Sequence, residues 1–266
     1  MKKKDISNYR GESPGKKETR ILGWEMIKDE LIPESFIQGP HLVLASQFAG
    51  DVSVLLEMGV DPKGIHAIDR DKHELAAARS RFEGSGVNFQ VCDFEAAHSV
   101  LDIDVFESAF IDLCGPLSLK TLRSVMKLRT KVTGYEFMCC REQGSAARLS
   151  REAGRDEHPS KGRLEFLRLH GFNPFVGIYY VSKTETTKGE PMCLALSSSN
   201  RDRQKVKTPQ LIEINATYKE QRRRITYSKG DRMGNLYNIP KETVAGWRSW
   251  EVRNGKPKRR WRSKKE

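Results

Sequence analysis

Apolar residues along the chain follow two alternating rhythms. In residues 19–32, Ile21, Leu22, Trp24, Ile27, Leu31 and Ile32 recur at helical spacing, and Pro33 ends the run. Residues 41–45 (HLVLA) are a short apolar run after Gly39-Pro40, which predicts a buried strand. Residues 51–58 then predict a helix, with Asp51 as its cap. The alternation continues with strands at 65–68, 87–91, 105–111 and 131–140. Helices at 72–82, 96–100 and 117–128 lie between them. Residues 141–161 are polar and predict a loop; 163–170 predict a further helix. Two last strands, 175–181 and 192–196, are joined by a turn too short to hold a helix.

Strand–helix alternation implies a parallel sheet with right-handed crossovers. The last connection cannot make such a crossover, so those two strands are expected to be antiparallel neighbours. The predicted fold class is α/β: a doubly wound, mostly parallel seven-stranded sheet ending in an antiparallel hairpin. Residues 1–18 are polar and are expected to be a disordered N-terminus, with the α/β domain over 19–200.

Charge adds a second unit. The 266 residues carry 47 Lys+Arg against 35 Asp+Glu, a net of +12. Residues 201–266 hold 20 Lys/Arg and 7 Asp/Glu, so the excess lies in the last quarter of the chain. That asymmetry points to a neutral folded unit with a basic module for a polyanion. Within the module, 209–225 predicts a helix bearing Leu211, Ile212, Ile214, Tyr218 and Ile225, with Arg222, Arg223 and Arg224 near its end. Residues 234–247 resemble the turn and second helix of a helix-turn-helix. Pro240 starts that helix, Glu242 sits in its first turn, and Val244 and Trp247 form an apolar pair. Lys241, Thr243 and Arg248 are then the expected base readers. The run at 256–265, including Lys258, Arg259 and Arg260, is expected to hold phosphates.

Other chemistries are excluded by what the sequence lacks. Five cysteines without a C-x-x-C pair argue against a disulfide framework or a zinc ribbon. The six histidines show no metal spacing, and neither a P-loop nor a G-x-S-x-G elbow is present. The opening Met-Lys-Lys-Lys is followed by polar residues, so a cytoplasmic location is expected.

The order of elements over about 20–198 resembles the class I S-adenosylmethionine-dependent methyltransferases, whose seven-stranded sheet ends in such a hairpin. The resemblance implies S-adenosylmethionine as cofactor, bound beyond the carboxyl ends of the strands. It implies that the loop Ala45, Ser46, Gln47, Phe48, Ala49 and Gly50 passes under the methionine and ribose, with one glycine where the family has several. Asp69, followed by Arg70, would accept hydrogen bonds from the ribose hydroxyls. Asp93 and Phe94 would meet the adenine. The fourth strand runs into Asp112-Leu113-Cys114-Gly115-Pro116, where the family holds its reacting group. Asp112 there would orient or deprotonate an amine or hydroxyl. Alternatively Cys114 would add to a pyrimidine ring, with Pro116 shaping the turn. The Pro-Pro-aromatic motif of amine-methylating members does not follow Asp112. The expected function is methylation of nucleic acid, DNA ahead of RNA, with the basic module binding substrate. The alternative is a DNA-binding regulator whose methyltransferase-like domain has lost its chemistry. No metal is expected.

Overall fold

The computed structural model describes residues 13–139, 160–182, 190–201, 209–214, 223–228, 244–253 and 256–262. The first half runs α1 (Pro14–Asp29), α2 (Pro33–Gln38), β1 (His41–Leu44), α3 (Gly50–Glu57), β2 (Ile65–Asp69), α4 (Lys72–Arg81), β3 (Asn88–Val91) and α5 (Ala97–Val100). The second half runs β4 (Phe106–Pro116), α6 (Leu119–Lys127), β5 (Thr130–Met138), α7 (Lys161–Leu169), β6 (Pro174–Ser182), β7 (Glu190–Ser198) and β8 (Gln210–Ile214).

The strands are ordered β8-β6-β7-β5-β4-β1-β2-β3. Strands β1 to β5 are parallel where they pair. β7 runs antiparallel to both of its neighbours, β5 and β6. The expected hairpin is therefore present, and β7 sits inside the sheet rather than at its edge. β8 adds a strand parallel to β6, beyond the seven expected. Crossovers build outward from β1 through β2 to β3, then return to the other side of β1 at β4. The switch point, where such sheets open a crevice at their carboxyl ends, lies between β1 and β4.

Two cores cover the faces of the sheet. One holds Trp24, Val52, Leu55 and Leu75 from α1, α3 and α4 against Phe110, Leu194 and Tyr180. The other holds Ala97, Leu122, Val125 and Phe166 from α5, α6 and α7 against Ile111, Tyr135 and Phe137. α1 lies very close to the strands. A Cβ on Gly23 would come within 2.7 Å of Leu194 Cδ2 and 2.9 Å of Phe110 Cε2. A side chain there would have to push the ends of Leu194 and Phe110 aside.

Three expectations change. The first helix starts at Pro14 rather than Thr19, so residues 14–18 are helical. Ser13 caps it by accepting the Lys16 N–H at 3.2 Å, and Pro14 occupies the position where its missing N–H costs nothing. Asp51 does not cap α3. The cap position is Ala49, in the left-handed region at φ 42°, and Asp51 is buried inside the first turn.

The third change concerns the basic module, which is not the expected helical one. Residues 210–214 form a strand where a helix was expected, and β9 (Arg223–Ser228) follows antiparallel to it. In β8, Ile212 and Ile214 enter one core and Leu211 the other, a period of two that β-branched residues favour. The helix-turn-helix reading is not supported: residues 229–243 lie outside the described residues. Val244–Arg253 is strand β10, and it pairs antiparallel with β11 (Lys256–Arg262). Its sequence is rich in Trp and Val, which prefer strands, and a paired β9 offers it a ladder. Arg222, Lys241 and Thr243 lie outside the described residues. Arg223 and Arg224 lie on β9, Arg248 on β10, and Lys258, Arg259 and Arg260 on β11.

Candidate active site

The switch point brings together the carboxyl ends of β1, β2, β3 and β4. After β1 the chain turns through 45–49. Ala45 N–H bonds the Ile68 carbonyl at 2.8 Å, which ties the start of the loop to β2. Gln47 N–H bonds Glu74 Oε2 on α4 at 2.8 Å, and Ser46 Oγ accepts the Phe48 N–H at 3.3 Å. Ser46, Gln47 and Phe48 are exposed, whereas Ala45 and Ala49 are buried. At Gly50 a Cβ would fall 2.5 Å from Arg20 Nη1. The glycine makes room for a guanidinium brought by α1.

At the end of β2, Asp69 and Asp71 divide two roles. Asp71 caps α4, accepting from His73 N–H at 2.8 Å and Glu74 N–H at 3.4 Å. Asp69 Oδ1 accepts the Asp71 N–H at 2.8 Å. Burial raises the Asp69 carboxyl above its ordinary range, and the Asp71 N–H pulls it partly back. Next to Asp69 in the parallel register is Val91, 55% exposed at the end of β3. Phe48, in the first loop, is 36% exposed, and the Arg81 guanidinium lies 6.0 Å from its ring centroid.

The other expected cofactor residues are placed differently from one another. Asp93 is exposed and accepts the Glu95 N–H at 3.0 Å, capping a short turn. Phe94 is buried among the α5–α6 core side chains. Arg70 is exposed. The side chains of Cys114 and Pro116 lie outside the described ones. The strand register is interrupted between Asp112 and Pro116, so the ladder breaks at the expected reacting loop.

Asp112 belongs to a buried ionic cluster that the sequence reading did not assemble. Lys16, Arg20 and Trp24 are spaced four residues apart on α1 and form one stripe. Lys16 Nζ pairs with Asp112 Oδ2. Arg20 Nε pairs with Asp51 Oδ1 at 3.0 Å, and Trp24 Nε1 donates to the same oxygen at 2.9 Å. Glu136 is the register neighbour of Asp112 on β5 and is 2% exposed. Tyr180 on β6 donates its hydroxyl to Glu136 Oε1. Burial and the neighbouring Asp112 push the Glu136 carboxyl up to about 8, against the opposing pull of Lys16, Tyr180 and Arg20. The signal was present in the sequence. In the stretch read as a strand, 131–140, Glu136 stands in the middle of an otherwise uncharged run, with Lys131 at its start. A charge in such a strand requires partners. Among the described residues, no group of three or more His, Cys, Asp or Glu side chains is arranged to hold a metal ion.

No family model and no curated protein matches the sequence. Among solved structures, similarities extend over most of the chain at low identity. A Pyrococcus horikoshii protein assigned by name as an RNA methyltransferase shares 10% identity, covering 74% of this chain and 91% of that one, with a TM-score of 0.48. The magnesium protoporphyrin IX methyltransferase of Synechocystis, with bound S-adenosylhomocysteine, shares 12% over 69% and 84%, with a TM-score of 0.44. The 1,6-didemethyltoxoflavin N1-methyltransferase of Burkholderia thailandensis shares 15% over 68% and 80%, with a TM-score of 0.41.

Proposed function

We propose that the chain is an S-adenosylmethionine-dependent methyltransferase acting on nucleic acid, with the basic segment 201–266 contributing substrate contact. The supporting observation is the strand order. A reversed β7 lies between β5 and β6, and the chain order switches direction between β1 and β4, whose carboxyl ends lead to Ala45 and Asp112. In this reading Asp69 accepts from the ribose hydroxyls, free for that duty because Asp71 caps α4. Asp93 receives the adenine amino group, and Ala45, Ser46, Gln47 and Gly50 form the floor. When bound, S-adenosylmethionine supplies an electrophilic methyl on a sulfonium. Asp112 orients the substrate nucleophile and takes its proton as the methyl is transferred. The chain's contribution is mainly positioning.

Calorimetric titration with S-adenosylmethionine and S-adenosylhomocysteine tests the cofactor site. Wild type is expected to bind both, and Asp69→Ala to bind them roughly 10- to 100-fold more weakly, as for hydrogen bonds to a charged acceptor. A folded wild type that binds neither overturns the reading.

The nucleic-acid assignment has its own measurement. The triple substitution Lys258→Ala, Arg259→Ala, Arg260→Ala should reduce the salt dependence of binding to a short duplex, lowering the log–log slope by about 2–3. An unchanged slope removes the 256–265 run from the interface. Cofactor binding should not respond to it.

A further inference from the structure

The turn after the first strand is where a doubly wound sheet receives an anion, because loop amides and the N-terminus of the next helix converge there. In this chain those donors are engaged from within. Ala45 N–H bonds the Ile68 carbonyl at 2.8 Å, and Ala49 N–H bonds the Ser46 carbonyl at 2.9 Å. Phe48 N–H bonds Ser46 Oγ at 3.3 Å. Gln47 N–H bonds Glu74 Oε2 at 2.8 Å, and this bond differs from the others. Its acceptor is a carboxylate from another element, α4, 27 positions along the chain. A charged acceptor makes it the stronger kind. At the head of α3, where the helix dipole favours an anion, Asp51 already places a carboxylate in the first turn.

Glu74 also belongs to a negative rim. Asp69 ends β2, Asp71 caps α4 and Glu74 lies in its first turn. Burial first, and then the charges of Glu74 and Asp71, push the Asp69 carboxyl up against the pull of the Asp71 N–H and Arg70. Arg70 and Lys72 are exposed, so water and salt screen them. Asp69 and Glu74 are half-buried and are screened less.

We propose that Glu74 is a specificity-determining residue of the cofactor site. Its carboxylate holds the Gln47 amide that a phosphate would take, so the loop admits an adenine nucleoside with a zwitterionic tail and rejects nucleotides that carry phosphate. The inference rests on the methyltransferase reading and adds to it what the site refuses. A phosphate reaching the loop would have to displace Glu74 and then remain beside it as a like charge. The amino-acid tail of S-adenosylmethionine brings an ammonium with its carboxylate and adds no net negative charge to the rim. The Glu74 bond also does part of the work of the missing glycines: it fixes the course of a loop whose left-handed residue is Ala49.

The test is competition calorimetry on the full chain, with S-adenosylhomocysteine as the reference ligand and adenosine and adenosine diphosphate as competitors. With wild type, adenosine diphosphate should compete roughly tenfold or more weakly than adenosine. Glu74→Gln keeps an oxygen for the Gln47 N–H and removes the charge. Gln suits a helix as well as Glu does, and position 74 is half-buried, so the variant should fold. It should bind S-adenosylhomocysteine within roughly threefold of wild type, while the gap between the competitors shrinks by about tenfold. In wild type the gap should also narrow at high salt, a response that a merely structural tie would not give. Equal competition by the two compounds in wild type, or a gap that survives in Glu74→Gln, overturns the proposal. Either result leaves the methyltransferase reading standing as long as S-adenosylhomocysteine binds. Folded wild type that binds neither S-adenosylhomocysteine nor S-adenosylmethionine overturns both.

Discussion

Arg20→Met should destabilise the protein by about 3–5 kcal/mol, the usual cost of leaving one partner of a buried ion pair uncompensated. In a domain of this size that corresponds to a fall in Tm of roughly 6–20 °C. Asp51 is 3% exposed, and after the substitution its remaining described hydrogen bond is from Trp24 Nε1. Burial already raises the Asp51 carboxyl, with Arg20 and Trp24 holding it down. Met has a stem of similar length, so packing against Gly50 is largely kept and the loss is electrostatic. A second change, Asp51→Asn, should therefore recover about half of the loss. Its amide oxygen can still accept from Trp24, and no charge is left stranded. Urea unfolding of the single and double variants measures both effects. A single variant within about 1 kcal/mol of wild type would show that water or another cation reaches Asp51.

Wild-type stability should also fall between about pH 5 and 8, and Glu136→Gln should remove that part of the fall. The folded carboxyl sits near 8, raised first by burial and then by Asp112. In the unfolded chain it titrates near its ordinary value of about 4.3. Between these values the unfolded chain has lost the proton and the folded chain retains it, so raising the pH favours unfolding. Below the window both states are protonated and the full stability is present; above it both are ionised and the slope disappears. The difference accumulated across the window is a few kcal/mol. Gln keeps an acceptor for the Tyr180 hydroxyl and carries no titrating proton. The comparison is of unfolding free energies of the two proteins at pH 5, 6, 7 and 8. Parallel lines would mean that Glu136 is ionised in the folded chain.

The doubly wound body could be read from the sequence because its signals are local. Apolar runs such as 41–45, Asp71 ahead of a helix and a ten-residue turn between two strands each limit the backbone without reference to the rest of the chain. The start of α1 could also have been found from Ser13-Pro14, a cap followed by a proline. The ionic cluster depends on distance in sequence instead. Lys16 meets Asp112, and Tyr180 meets Glu136, across intervals that no periodicity connects. β8 was misread because 209–225 has enough apolar residues for either a helix or a strand, and the choice depended on an open edge at β6. The basic tail misled in a similar way: Val244 and Trp247 suit a helix by spacing and a strand by residue type.

The close fit of α1 to the sheet has a consequence for how the chain is made. Its stripe of Lys16, Arg20 and Trp24 leaves the ribosome early, but Glu136 and Tyr180 follow more than a hundred residues later. Ser13 pairs with Ser182 across 169 positions. At roughly 5–20 residues per second, α1 waits about ten to thirty seconds for its seat. Asp51 and α3 follow within about thirty residues, but throughout that interval the sheet face that α1 covers and the partner of Lys16 are incomplete. Docking of the first helix is therefore among the last events of folding. A nascent chain halted before β6 should leave α1 open to a protease that the finished protein resists.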